Sequence, residues 1–210
     1  MPREMSPASD FDRIASHIAI WHTYDFAVKA EFYSSFILTS DGGYLVDPIP
    51  LEKAALAELV GSGRVVGIIV TNGNHHRASA RFAVQFSASI IARCEIFPNE
   101  KPRRFRNVSD GEEICDGLRA IAIQGAAPGE IVLHHATNGG TLIVGDALIN
   151  FEPYGFTFLP RKYCSDEKEM RRSLRKLLDY KAERMLFAHG TPILSGASDR
   201  LRGLLNAGTG

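Results

Sequence analysis

The run Val65-Val66-Gly67-Ile68-Ile69-Val70-Thr71 constrains this chain more than any other stretch. It is almost continuously apolar and rich in β-branched side chains, which suits a strand buried on both faces. Such a strand needs a layer on each side, so the chain must stack helices and sheets. The run breaks at Asn72-Gly73-Asn74-His75-His76-Arg77, and a helix is expected over 78–86. Loops that leave buried strands are where α/β proteins usually bind ligands.

The remaining pattern mixes hairpins with strand–helix crossovers. Residues 32–39 and 44–47 read as a β-hairpin across Ser40-Asp41-Gly42-Gly43, because Asp and Gly tolerate turn geometry. Pro48 and Pro50 end it, and 51–60 is helical in composition. Ser89–Ala92 and 118–123 are short strands, with a basic, Pro-containing loop over 97–106 between them. Ile131–His135 and Thr141–Val144 form a second hairpin across Asn138-Gly139-Gly140. The aromatic stretch 151–162 reads as a loop that either covers a site or forms a contact in a homo-oligomer. A helix is expected over 166–180, capped by Ser165, with Met170, Leu174, Leu177 and Leu178 on one face. A strand over 185–188 ends at His189-Gly190, and Leu201, Leu204 and Leu205 mark a last short helix. Residues 1–12 read as a loose leader. No linker interrupts the rest, which predicts one domain over 1–210.

Composition narrows the function classes. Lys plus Arg and Asp plus Glu are 24 each among 210 residues, so no overall charge favours nucleic acid or an anionic membrane as partner. Cys94, Cys115 and Cys164 are odd in number and far apart, which points to plain thiols in a reducing, cytoplasmic setting. No apolar run approaches the roughly 18 residues of a membrane span. A small molecule is the expected partner. Gly61-x-Gly63 precedes a strand rather than opening a helix, and neither a Gly-x-Ser-x-Gly elbow nor a Walker-type Gly-Lys-Ser/Thr is present.

Four loop-borne segments follow in order: Val46-Asp47-Pro48, Thr71 to Arg77, Ala126-Ala127-Pro128-Gly129-Glu130 leading to Gly145-Asp146, and His189-Gly190. Their order and spacing resemble the metallo-β-lactamase superfamily over about residues 34–190. The resemblance implies an αββα sandwich, four layers with two mixed β-sheets flanked by helices. It also implies metal-assisted hydrolysis of an ester, thioester, amide or phosphodiester, without choosing among them. Aligned on Thr71, Asn72 and Asn74 stand where the family carries its first two histidines. His76 stands at its aspartate and Arg77 at the last histidine of that loop, while Ala126 replaces a later histidine. Asp146 and His189 match family ligands in kind. The loop is similar to the Thr-Asn-x-x-His-x-Arg variant of one branch of the superfamily.

This ligand set implies at most one divalent metal, Zn, Fe or Mn, held by His76, Asp146 and His189, because an amide is a poor ligand and alanine is none. A metal-bound water would then be the nucleophile. The alternative is a metal-free binding or regulatory protein of the same fold, in which Arg77 pairs with Asp146 in place of the metal. His75 is expected to point away if His76 points in. Asp47 is expected to serve the hairpin exit, and Lys162 to belong to a solvated basic loop or to an anion site. His134 and His135 adjoin on a strand and must face opposite sides.

Overall fold

The computed structural model of the protein describes residues 5–26, 29–61 and 63–207. Two sheets lie face to face between helices. The first has seven strands in sequence order: β1 (Asp12–Ala15), β2 (Ile18–Asp25), β3 (Ala30–Thr39), β4 (Gly42–Val46), β5 (Val65–Ile69), β6 (Ser89–Ala92) and β7 (Phe105–Asn107). Its first four strands are antiparallel and the rest pair in parallel from β4 onward. The second sheet contains β8 (Glu113–Cys115), β9 (Leu118–Ala122), β10 (Ile131–His135) and β11 (Thr141–Val144). Its far edge is β14 (Arg184–Phe187), parallel to β11, in the order β14-β11-β10-β9-β8. The expected mixed four-layer αββα sandwich is thereby realised.

Burial follows the layers. Helices α1 (Lys53–Val60) and α2 (Ser79–Phe86) bury Leu56, Leu59 and Phe82 against Trp21, Phe36, Leu45 and Ile68 of the first sheet. Helices α3 (Glu167–Leu174) and α4 (Ala197–Ala207) bury Met170, Leu174, Leu201 and Leu205 against Val132, Leu142, Val144 and Met185 of the second. Ile37, Ile69, Ile131, Leu133 and Ile143 fill the space between the sheets. Val65 and Ile68 face α1 and α2 while Ile69 faces the second sheet, so the founding strand is covered on both sides as its composition requires. Among the described residues, no helix is long and apolar enough to cross a membrane.

Several elements differ from the sequence expectation. Residues 5–11 are docked rather than loose: Ala8 bridges Leu51, donates to Pro50 O and is buried, with Met5 and Phe11 packed beside it. Residues 1–4 of that leader lie outside the described residues. The aromatic stretch over 151–162 is largely the hairpin β12 (Leu148–Phe151) and β13 (Gly155–Phe158), whose backbone pairing uses groups that a loop would leave to water. The cap of α3 is Asp166, whose carboxylate accepts from Glu169 N, while Ser165 Oγ donates to Ala126 O. A 3-10 turn over Arg175–Asp179 continues α3, carrying buried Leu177 on the expected face.

Candidate metal centre

Parallel pairing of β4 with β5 and of β11 with β14 brings their C-terminal ends to one edge of the sandwich. Asp47, the loop 71–77, Asp146 and His189 leave from those ends, and Glu130 sits just before β10. Asp47 has positive φ (46°) and turns its carboxylate across the next loop. Oδ1 accepts from Thr71 N at 2.8 Å, and Oδ2 accepts from Thr71 Oγ1 at 2.5 Å and from His75 Nδ1 at 2.8 Å. The 71–77 loop turns tightly because Asn72 Oδ1 accepts from Asn74 N at 2.8 Å and Asn72 O accepts from His75 N at 3.1 Å. This turn aims the buried His75 ring inward.

Three donor atoms converge there. His75 Nε2 lies 3.1 Å from Asp146 Oδ1 and 3.3 Å from His189 Nε2, and His189 Nε2 lies 3.4 Å from Asp146 Oδ1. His75, Asp146 and His189 are the one cluster of this kind among the described residues. Each imidazole has its other nitrogen on a pure acceptor: His75 Nδ1 on the Asp47 carboxylate, and His189 Nδ1 on Glu31 O at 3.0 Å. Both Nδ1 atoms therefore carry hydrogen, and both Nε2 atoms are presented to the centre. Asn74 Nδ2 donates to the remaining Asp146 oxygen, Oδ2, at 3.1 Å.

The placement of His76 corrects the sequence reading. His76 is exposed, with its ring edge-on to Phe97 at 4.9 Å, and it is the preceding histidine that joins Asp146 and His189. Counting the Thr-Asn-x-x-His-x-Arg pattern from Thr71 lands on His75, the one sequence signal that marks it. The expected Arg77–Asp146 pair is not formed either. Arg77, at positive φ (39°), donates from Nη1 to Tyr33 O (2.5 Å) and Asp47 O (3.0 Å) and from Nη2 to Ala188 O (3.4 Å), over the Phe32 ring. Its guanidinium is held by three main-chain carbonyls, one within β3, one after β4 and one after β14, rather than by Asp146. Asp47 orients His75 in addition to shaping the hairpin exit. Lys162 is exposed, with its ammonium over the Tyr163 ring. Ala126 is buried in the apolar core under α3.

Glu130 is the site residue that the sequence reading passed over. It is 1% exposed. Its Oε1 accepts from Asp146 N (2.8 Å) and Ala147 N (3.0 Å), and Oε2 accepts from Asn72 Nδ2 (2.8 Å). Burial and the Asp146 charge push its acid up to about 8, against the pull of these donors. Burial and the Arg77 charge oppose protonation of His75, but the carboxylates of Asp47 and Asp146 outweigh them and raise it to about 9. Burial would raise Asp146, yet His75 and His189 hold it well below the usual carboxylate range. Burial lowers His189.

An open cleft of about 510 Å³ adjoins His189, lined in part by Tyr24, Lys29, Glu31, Asn150, Phe151 and Gly190. The β12–β13 hairpin forms one wall: Asn150 N donates to His189 O, and Thr191 N to Asn150 O. Gly190, at φ 110°, is required there, because a Cβ would stand 2.1 Å from Asn150 O.

Among solved structures, the chain is similar to the DIM-1 metallo-beta-lactamase, at 13% identity and TM-score 0.74, covering 97% of this chain and 99% of that one. It is also similar to a metallo-beta-lactamase from Erythrobacter litoralis (17% identity, TM-score 0.72, 94% and 96% covered) and to one from Pontibacter korlensis (14%, 0.68, 92% and 98%). These likenesses show the fold. A comparison with curated protein sequences finds no match. The family model described as "Metallo-beta-lactamase superfamily" matches residues 13–207, nearly the whole chain and every residue of the centre. The fold, the matched span and the donor cluster at the strand ends agree, and the chain belongs to the metallo-β-lactamase superfamily.

Proposed function

We propose that the protein is a hydrolase-like enzyme working with a single divalent cation held by His75 Nε2, Asp146 Oδ1 and His189 Nε2. The carrying observation is the triangle of donors with edges of 3.1, 3.3 and 3.4 Å. Ligands about 2.0–2.2 Å from a shared cation stand roughly 3.0–3.4 Å apart, so the donors suit one coordination face. Two histidines and one carboxylate suit Zn²⁺, Fe²⁺ or Mn²⁺ and leave positions for water and substrate.

When bound, such a cation supplies Lewis acidity and lowers the pKa of a coordinated water. The chain's own residues have distinct tasks. Asp47 fixes the His75 tautomer and raises the basicity of Nε2, and Glu31 O does the same for His189. Asn74 occupies one Asp146 oxygen and so leaves the other for the centre. The cleft beside His189 has the size of a small-molecule site, with Lys29 and Glu31 as polar contacts between Tyr24 and Phe151. An ester, thioester, amide or phosphodiester is the substrate class.

The metal-free reading draws on one observation. A protonated His75 between Asp47 and Asp146 satisfies both carboxylates without a cation. Titration of metal-stripped protein with Zn²⁺, Fe²⁺ and Mn²⁺ separates the two. The account expects near-stoichiometric binding in the parent and in His76→Ala, and its loss in His75→Ala. Binding that survives His75→Ala, or no binding by the parent, rejects the site.

A further inference from the structure

The floor of the centre is a closed ring of hydrogen bonds. Glu130 Oε2 accepts from Asn72 Nδ2. Asn72 Oδ1 accepts from Asn74 N. Asn74 Nδ2 donates to Asp146 Oδ2. Asp146 N donates to Glu130 Oε1, which closes the ring. Glu130 and Asn72 are 1% and 0% exposed, so that side of the ring is held in the core, while Asn74 closes it at the surface. A Cβ at Gly145 would stand 2.6 Å from Thr71 Oγ1, 2.8 Å from Glu130 Oε1 and 3.0 Å from Asn72 Nδ2, so glycine alone lets the Asp146 loop lie this close.

The ring joins three separate segments and fixes one side chain. The Asp146 backbone is tied to Glu130, and one of its two carboxylate oxygens is taken by Asn74. Oδ1 is the oxygen left facing His75 and His189. An apolar residue in place of Glu130 would strip the acceptor from two loop N–H groups and from the Asn72 amide.

We propose that Glu130, Asn72 and Asn74 form a positioning circuit that makes Asp146 present a single oxygen to the metal centre. Glu130 is its anchor and Asn74 its outer end. The two asparagines are then working parts of the centre rather than remnants of lost ligands. The proposal rests on the single-cation reading for its effect on binding. The circuit itself can be tested without metal.

Cobalt(II) serves as the probe, because its visible bands report the number and geometry of its ligands. Four proteins are compared after metal stripping: the parent, Glu130→Gln, Asn74→Ala, and the double variant Glu130→Gln/Asn72→Asp. The double variant exchanges the donor and acceptor of one ring bond and keeps the ring closed. Asn74 is exposed, so Asn74→Ala opens the ring without touching the core. Loss of a partner that orients a ligand typically weakens metal binding about 10–100-fold, and that loss is expected for both Glu130→Gln and Asn74→Ala. Their bands should also shift, as Asp146 becomes free to bind through both oxygens. The double variant should return to within about threefold of the parent. Parent-like affinity and spectrum in Asn74→Ala overturn the circuit, as does a double variant no better than Glu130→Gln.

Hydrogen exchange of the Asp146 amide in the metal-free proteins is the parallel reading. Exchange should speed up in Glu130→Gln and slow again in the double variant, and equal exchange in all overturns the proposal. A parent that binds no cobalt but shows this pattern rejects the single-cation reading and keeps the circuit.

Discussion

At the scale of residues, the centre depends on which nitrogen each histidine offers. His75 Nδ1 sits on the Asp47 carboxylate at 2.8 Å, which leaves Nε2 for the centre. Asp47→Asn weakens that hold and removes the charge that raises imidazole basicity. Calorimetric titration should show metal affinity reduced about 10–100-fold, the range for partners that orient a ligand. Unchanged affinity would show that His75 needs no such support. The sequence made Asp146 and His189 legible, because each follows an apolar strand and keeps the family spacing. His75 was obscured by its neighbour. Counting the family's ligand positions from Thr71 puts residue 76 inward. The Asn72 side chain instead bonds the loop to itself and tightens the turn, so residue 75 arrives there. Glu130 was obscured for another reason. It carries no motif, and its role exists only once three segments meet around its carboxyl.

At the scale of elements, the site is a gathering of strand ends, and Arg77 is the tie. Its guanidinium reaches the carbonyls of Tyr33 in β3, Asp47 after β4 and Ala188 after β14. Strand ends from both sheets are thereby fixed beside the candidate ligands. Arg77→Met keeps much of the apolar stem but takes a donor from each carbonyl, although Asp47 O keeps Ser34 Oγ and Ala188 O keeps Tyr33 N. The expected cost is about 1–3 kcal/mol, read as a lower midpoint in urea unfolding. A midpoint equal to the parent's would remove Arg77 from this role. Sequence pattern gave β5, β10, β11 and the apolar face of α3 well, because continuous apolar runs mark the strands and a one-sided apolar stripe marks the helix. It missed the β12–β13 hairpin, whose Pro153 and aromatic residues resemble a loop and whose pairing depends on docking beside His189 and Thr191. It also missed the docked residues 5–11, since Met5, Ala8 and Phe11 are too few to form a periodic signal.

At the scale of the molecule, the two sheets also meet in a second polar contact, at the other end of β11 from Asp146. His17, before β2, and His135, at the end of β10, are both buried with ring centroids 5.1 Å apart. Asn138 and Thr137 each contact one of their nitrogens, while His17 Nε2 and His135 Nδ1 have no hydrogen-bond partner. Burial lowers both pKa values, with Arg184 acting on each and His17 and His134 also acting on His135, which falls to about 4. A histidine depressed in the fold takes up a proton on unfolding. Its contribution is complete above the unfolded value of 6.5 and is lost as pH falls toward about 4. His135→Phe should therefore flatten the fall in stability between these pH values by roughly 1–3 kcal/mol. Parallel curves for parent and variant would show that the seam is not sensitive to protons.

The central claim is that the opposite edge of the sandwich holds one metal ion between His75, Asp146 and His189. The most direct test is elemental analysis of the protein purified without added metal and without a metal-affinity tag. The account predicts about one equivalent of zinc, iron or manganese per chain, falling to background in His75→Ala. Less than about a tenth of an equivalent in the parent, with none gained on adding these ions, would contradict it.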